Sequence, residues 1–211
     1  MLLGAILAAV DVLTRQLTSA TWLPCVGCVV LLLILTGGLH ADGLIDTCDA
    51  IFGHASPERR LEIMRDPHVG AFGVVGFVCI AALKIASLDA LPPTLRPVLL
   101  LLAPGLGRWC IVLSATVYPY GRPGGSGEPI KAGATPRALV LASVLPLAAC
   151  VLAGPVGLLC GVLVALGTLA FGRWLVRLLP GLTGDCYGAI CEVAETIVWL
   201  SAALAWPRLT T

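Results

Sequence analysis

Six long apolar runs, at 22–38, 72–90, 96–117, 138–153, 156–178 and 188–206, alternate with shorter polar stretches along the chain. A helix needs about 20 residues, within about 17–25, to cross the hydrocarbon core of a bilayer, so each run predicts a span. The run 138–153 is short, and Gly154-Pro155 breaks it from the next, which predicts two helices in a tight hairpin. Residues 1–13 are apolar but contain Asp11, with Arg15 just beyond; they predict a segment lying in the interface or a partial extra span. The stretch Met1 to Val10 has no charged leading region and no clear cleavage site, so no signal peptide is expected. The runs are continuous rather than alternating, which excludes the period-two pattern of a transmembrane β-barrel. The expected fold is therefore all-α: a polytopic transmembrane helical bundle of about six spans plus an N-terminal apolar segment, forming one integral-membrane domain over residues 1–211.

Composition sharpens this reading. Apolar residues make up 58% and charged residues 12% of the chain, and the mean hydropathy is +0.99. A soluble domain carries about 25% charge. The net charge of +1 and the lack of any basic block leave no surface for nucleic acid. Alternating six spans sorts the connections into two sets. The set 39–71, 118–137 and 179–187, with its flanking helix ends, holds Arg59, Arg60, Arg65, Arg122, Lys131, Arg137, Arg173 and Arg177; the other holds Arg15, Arg96 and Arg208. The positive-inside rule makes the first set cytoplasmic. Ten of the twelve acidic residues lie on that same side, leaving Asp11 and Asp89. Such one-sided polar chemistry suits an enzyme with water-soluble substrates better than a channel, whose spans carry polar residues along their length. The nine cysteines fall largely inside apolar runs; Cys25-x-x-Cys28 has no second pair to complete a zinc or redox site, so they read as small apolar residues.

The polar motifs carry the chemistry. Asp42, Asp46 and Asp49 follow the first run at i, i+4 and i+7, which stacks three carboxylates on one helix face. Like charges so crowded call for a cation, and an all-oxygen set suits magnesium and hence phosphate chemistry. Ser56-Pro57 reads as a helix start, with Ser56 as N-cap, for a helix running to about Asp66 and ended by Pro67. A second acidic motif, Gly184-Asp185 with Glu192 and Glu195, opens the last run; carboxylates inside a span are a functional signal, or else they snorkel or pair with Arg173 or Arg177. Arg108 lies within a span and needs an anionic partner there. Lys84 is mid-span with either a buried partner or a snorkelling side chain. The glycine-rich stretch around Arg122, from Tyr118 to Gly127, can wrap a phosphate with backbone N–H groups. His40 and His68 read as hydrogen-bonding groups, His54 as a loop residue.

Four segments, GGLHADGLIDTCDAIFG, RRLEIMRDPHVGAFG, GRW with YPYGRPGG, and GLTGDCYGAICEVAE, occur in an order that resembles the cobalamin synthase family, adenosylcobinamide-GDP ribazoletransferase, over residues 36–196. The resemblance implies a magnesium-dependent, multi-pass inner-membrane enzyme with its active site on the cytoplasmic face. It would join adenosylcobinamide-GDP to α-ribazole, or to α-ribazole 5′-phosphate, releasing GMP at the last assembly step of vitamin B12. It assigns catalysis to Asp42, Asp46, Asp49, Asp185 and Glu192, the Mg2+ to Asp42, Asp46, Asp49 and Asp185, and substrate binding to His40, Arg65, Asp66, Arg108, Arg122 and Glu195. Glu192 or Asp49 is the expected proton acceptor, and Arg108 is expected beside the aspartates. The implied partners are the two substrates and the lipid bilayer, with room for a homo-oligomer. Two rivals differ in kind. A CDP-alcohol phosphatidyltransferase also uses spaced aspartates and magnesium, but its Ala-Arg is absent after Asp42-Gly43. A non-enzymatic transporter or assembly subunit leaves the one-sided acidic clustering unexplained.

Overall fold

The computed structural model describes residues 1–53 and 55–209, with side chains to Trp206; His54 lies outside the described residues. The described residues are helical, without a strand: α1 Leu2–Leu17, α2 Trp22–Leu35, α3 Leu39–Phe52, α4 Pro57–Ile63, α5 Ala71–Ala90, α6 Arg96–Val117, α7 Glu128–Gly133, α8 Pro136–Leu152, α9 Gly154–Leu178 and α10 Gly184–Leu209. Among them α5, α6, α9 and α10 are each long and apolar enough to cross a membrane. The expected span at 22–38 is not one straight helix. Gly37 and Gly38 adopt φ of 59° and 71°, a left-handed conformation open to glycine, and the chain turns by 91° between α2 and α3. At 1.5 Å per residue α2 is about 21 Å long, short of the roughly 30 Å hydrocarbon core, so the fifth span exists only as the bent pair. The expected span at 138–153, α8, has 17 residues and ends at Leu152, two residues before Gly154, where φ is 67°.

The last helix is the centre of the bundle: α10 packs against α3, α5, α6 and α9. The N-terminal segment is a helix laid on α6 and α2. A Cβ on Gly4 would stand 2.5 Å from the Leu101 carbonyl oxygen, so the two backbones touch. At one end of the bundle, Arg96 is fully buried. It donates to the Leu91 carbonyl at 2.8 Å and to the Cys25 sulfur at 3.2 Å, and lies 3.6 Å from Asp11, which Arg15 also pairs at 3.0 Å. The other end gathers the three long connections. The Arg60 guanidinium donates to the Leu178 carbonyl at 3.0 Å, tying the 53–70 segment to the end of α9. Lys131 donates to the Ala115 and Tyr118 carbonyls at 2.7 and 2.8 Å, closing the C-terminus of α6 with the cation its dipole favours. The connections 55–70, 118–127 and 179–183 thus meet at one end of the bundle, and the 91–95 turn lies at the other with Arg96. As expected, the Ser56 side chain accepts from the Arg59 N–H, but α4 stops at Ile63, where i−3 bonds tighten the chain ahead of Pro67. All nine cysteines are unpaired, and most are buried as small packing residues.

Candidate active site

The site forms where α3 crosses the start of α10. A Cβ on Gly43 would meet the Asp185 carbonyl oxygen at 2.6 Å, and one on Gly188 would meet the His40 carbonyl oxygen at 3.0 Å. Glycine on both sides therefore lets the helices approach to backbone contact and brings Asp42 and Asp46 beside Asp185. Beyond α6, the chain runs alongside the approach to α10. Gly121 N–H donates to the Leu182 carbonyl at 2.9 Å, and Leu182 N–H to the Pro119 carbonyl at 2.8 Å, a single parallel bridge. Gly121 and Gly181 are pressed together with no room for a side chain on either. The bridge delivers Arg122 to Asp185, whose Oδ2 accepts from its guanidinium at 3.0 Å. The Thr183 hydroxyl accepts from the Cys186 N–H at 3.2 Å, starting α10.

These elements enclose a cleft of about 430 Å³ lined by Asp42, Asp46, Arg65, Asp66, Arg122 and Asp185. Met64, buried near the Thr183 hydroxyl, anchors the chain that carries Arg65 and Asp66 to the rim. Asp66 accepts from the His68 N–H at 3.0 Å and faces its ring at 2.6 Å; these bonds hold its carboxyl below the usual carboxylate range. Asp46 feels Asp42, Asp185 and Asp49 as like charges, with Arg122 as the opposing cation. Four carboxylates against two guanidinium groups leave the cleft with a formal charge of −2. A second chamber of about 240 Å³ adjoins it, sharing Asp42, Ser126 and Asp185, with His40 on its wall.

Four of the residues singled out from sequence stand elsewhere. Asp49 shares a helix face with Asp42 and Asp46, but it turns to α5: its two oxygens accept from the Gly70 and Gly73 N–H groups, each at 2.8 Å. It serves the exposed amides of a helix start and does not line the cleft. Glu192 and Glu195 neither snorkel nor pair with Arg173 or Arg177. Both accept from the Lys84 ammonium at 2.6 Å, and Glu195 also pairs with Arg108. Lys84 and Glu195 are almost wholly buried, and the Lys84 nitrogen lies 5.6 Å from the Trp199 ring centre. Arg108 therefore satisfies its charge one layer below the cleft, not in it. Its outer side opens on a separate apolar cavity of about 370 Å³ with Met1, Pro104 and Trp109. Sequence reading placed Ser126 in the glycine-rich stretch and Tyr187 in the last motif but gave neither a role of its own, because the fold alone brings them to the chambers.

Among the described residues, no three His, Cys, Asp or Glu side chains form a ready-made metal cage. Magnesium does not require one, since it commonly takes one or two carboxylates, several waters and substrate phosphates. Asp42, Asp46 and Asp185, on the wall of a cleft of net charge −2, fit that donor chemistry.

A family model described as cobalamin-5-phosphate synthase, CobS, matches residues 1–203. The chain belongs to this family. Curated relatives named adenosylcobinamide-GDP ribazoletransferase agree with it over most of their length. The protein of Roseiflexus sp. (strain RS-1) is 39% identical over 98% of this chain and 77% of its own. That of Desulforamulus reducens is 44% identical over 81% and 69%, and that of Synechococcus sp. (strain ATCC 27144 / PCC 6301 / SAUG 1402/1) is 39% identical over 95% and 82%. No solved structure matches the chain. The described fold of this member of the family is an all-α polytopic membrane bundle whose polar cleft lies where α3, α10 and the connections between helices meet.

Proposed function

We propose that this chain is an adenosylcobinamide-GDP ribazoletransferase of the inner membrane, with its cleft open to the cytoplasm. It would join adenosylcobinamide-GDP to α-ribazole, or to its 5′-phosphate, and release GMP. The observation that carries this reading is the meeting of Asp42, Asp46, Arg65, Arg122 and Asp185, from four separate motifs, on one cleft in a chain of this family. The cytoplasmic assignment rests on the cationic connections around the cleft.

The chemistry is transfer of a substituted phosphate. A ribose hydroxyl of α-ribazole attacks the phosphorus bonded to cobinamide, and the bond from that phosphorus to the GMP oxygen breaks. Arg65 and Arg122 offer positive charge to the diphosphate, and Arg122 is already oriented by Asp185. Asp42, Asp46 and Asp185 are the residues that would hold Mg2+, which when bound would neutralise charge on the transferring and leaving phosphates. The proton of the attacking hydroxyl needs an acceptor at the boundary of the two chambers. Asp42, which lines both chambers, would offer the carboxylate oxygen not given to the metal, and His40 stands on the wall of the second chamber. Glu192 is committed to Lys84 and Asp49 to α5, so neither is free for this step.

Purified protein in lipid nanodiscs, given both substrates and magnesium, should release one GMP per cobalamin formed, read by mass spectrometry. Absence of GMP release under saturating substrates and metal would refute the assignment.

A further inference from the structure

We propose that the second chamber is the binding site for the flat, apolar base of the attacking nucleoside, and that Ile111 and Ile130 set which bases fit. This rests on the transferase reading above and divides that site between its two substrates. The two chambers meet at Asp42, Ser126 and Asp185, but their walls differ. The larger is mostly charged, with Met64, Pro67, Val69 and Ser126 completing its wall. The smaller presents Leu39, Ile111, Ile130 and Tyr187, with glycine backbone at Gly127 and Gly188. Its volume of about 240 Å³ is below the roughly 300–1,000 Å³ of sites for drug-sized ligands, so it admits a fused ring system and not a corrinoid. Guanine would bring several polar edge groups against isoleucine and leucine, a costly mismatch. A benzimidazole-type ring brings few.

One further observation points to a ligand. Tyr187 lines the chamber, and its hydroxyl is buried beside it without a hydrogen-bond partner, a state that a small turn of the side chain toward a ring nitrogen or sugar hydroxyl would relieve. The side chain over the chamber is also held firmly. Lys131, next to Ile130 on α7, is fastened to the two carbonyls at the end of α6, the helix that carries Ile111. A base seated between these isoleucines would direct its ribose toward Asp42 and Asp185, where the diphosphate lies in the adjoining cleft.

Steady-state kinetics of the full chain in nanodiscs, with each substrate varied in turn, test the division. Ile130→Ala should raise KM for α-ribazole about tenfold and leave KM for adenosylcobinamide-GDP within about twofold. Ile130→Trp, which fills the chamber, should abolish retention of α-ribazole in equilibrium dialysis, a readout that needs no turnover. An Ile130→Ala effect on adenosylcobinamide-GDP as large as that on α-ribazole, or no effect on either, would overturn the subsite. So would undiminished α-ribazole retention by Ile130→Trp. Failure of the unaltered protein to release GMP would instead remove the transferase reading, leaving dialysis to report on the chamber alone.

Discussion

Replacing Gly43 with alanine separates stability from catalysis. The glycine lies inside α3 with ordinary helical backbone, so alanine is conformationally allowed and should gain about 1 kcal/mol of helix propensity. Its Cβ, however, would stand 2.6 Å from the Asp185 carbonyl oxygen and 3.0 Å from the Asp185 Cα. Ordinary contact begins at 3.4 Å, so α10 must withdraw from α3 by about 0.8 Å. Overpacking of this kind costs about 1–3 kcal/mol. Set against the propensity gain, the net loss should be no more than about 2 kcal/mol, or a fall in Tm of about 4–8 °C. The catalytic loss should be far larger, because Asp185 moves away from Asp42 and Asp46, and a misplacement of about 1 Å can cost about 10²-fold in rate. Gly27→Ala is the control, since a Cβ there meets nothing within 4 Å. GMP release per folded molecule, with Tm measured on the same nanodisc samples, gives both quantities. A Gly43→Ala protein with kcat within about threefold of the unaltered chain would refute the claim that the α3–α10 approach sets the active geometry.

Asp46→Ala and Asp49→Ala should fail in opposite ways: the first loses turnover by about 10²-fold or more with Tm nearly kept, the second loses about 1–2 kcal/mol of stability through two unpaired amides of α5. Equal effects on rate and Tm in both would show that the capping role is misassigned. Lys84→Met should cost about 3–5 kcal/mol, seen as an early thermal transition, because two carboxylates are then left buried with one guanidinium. Adding Glu192→Gln should restore part of that loss, and strict additivity of the two changes would argue against a shared network. A cysteine introduced at Ser126 should resist an impermeant thiol reagent added outside intact cells while one at Pro92 reacts, provided the cleft faces the cytoplasm. The reverse pattern would invert the topology.

Much of this was legible in the sequence because it depends on local periodicity. The apolar runs marked the long helices, Ser56-Pro57 marked the start of α4, and the i, i+4 spacing of Asp42 and Asp46 put both on the wall that meets Asp185. The misreadings arose where the deciding partner is remote in the chain. Asp49 obeys the same helical spacing, yet Gly70 and Gly73, which claim its oxygens, come from the next span. Glu192 and Glu195 looked like cleft residues because their partner, Lys84, lies 108 and 111 residues away. The bend after α2 was signalled by Gly37-Gly38, but hydropathy alone ran the span through it.

The buried cluster of Lys84, Arg108, Glu192 and Glu195 holds two positive and two negative side chains, and so carries no net formal charge. A single charge moved across a membrane responds to the potential by about 2.3 kcal/mol per 100 mV. A neutral quartet has no net charge for that field to pull, and its contact pairs leave only a short internal dipole. The protein can thus keep four ionised groups beneath its cleft while the membrane voltage rises and falls, and changes in cell energisation should leave the helix register around Asp185 undisturbed.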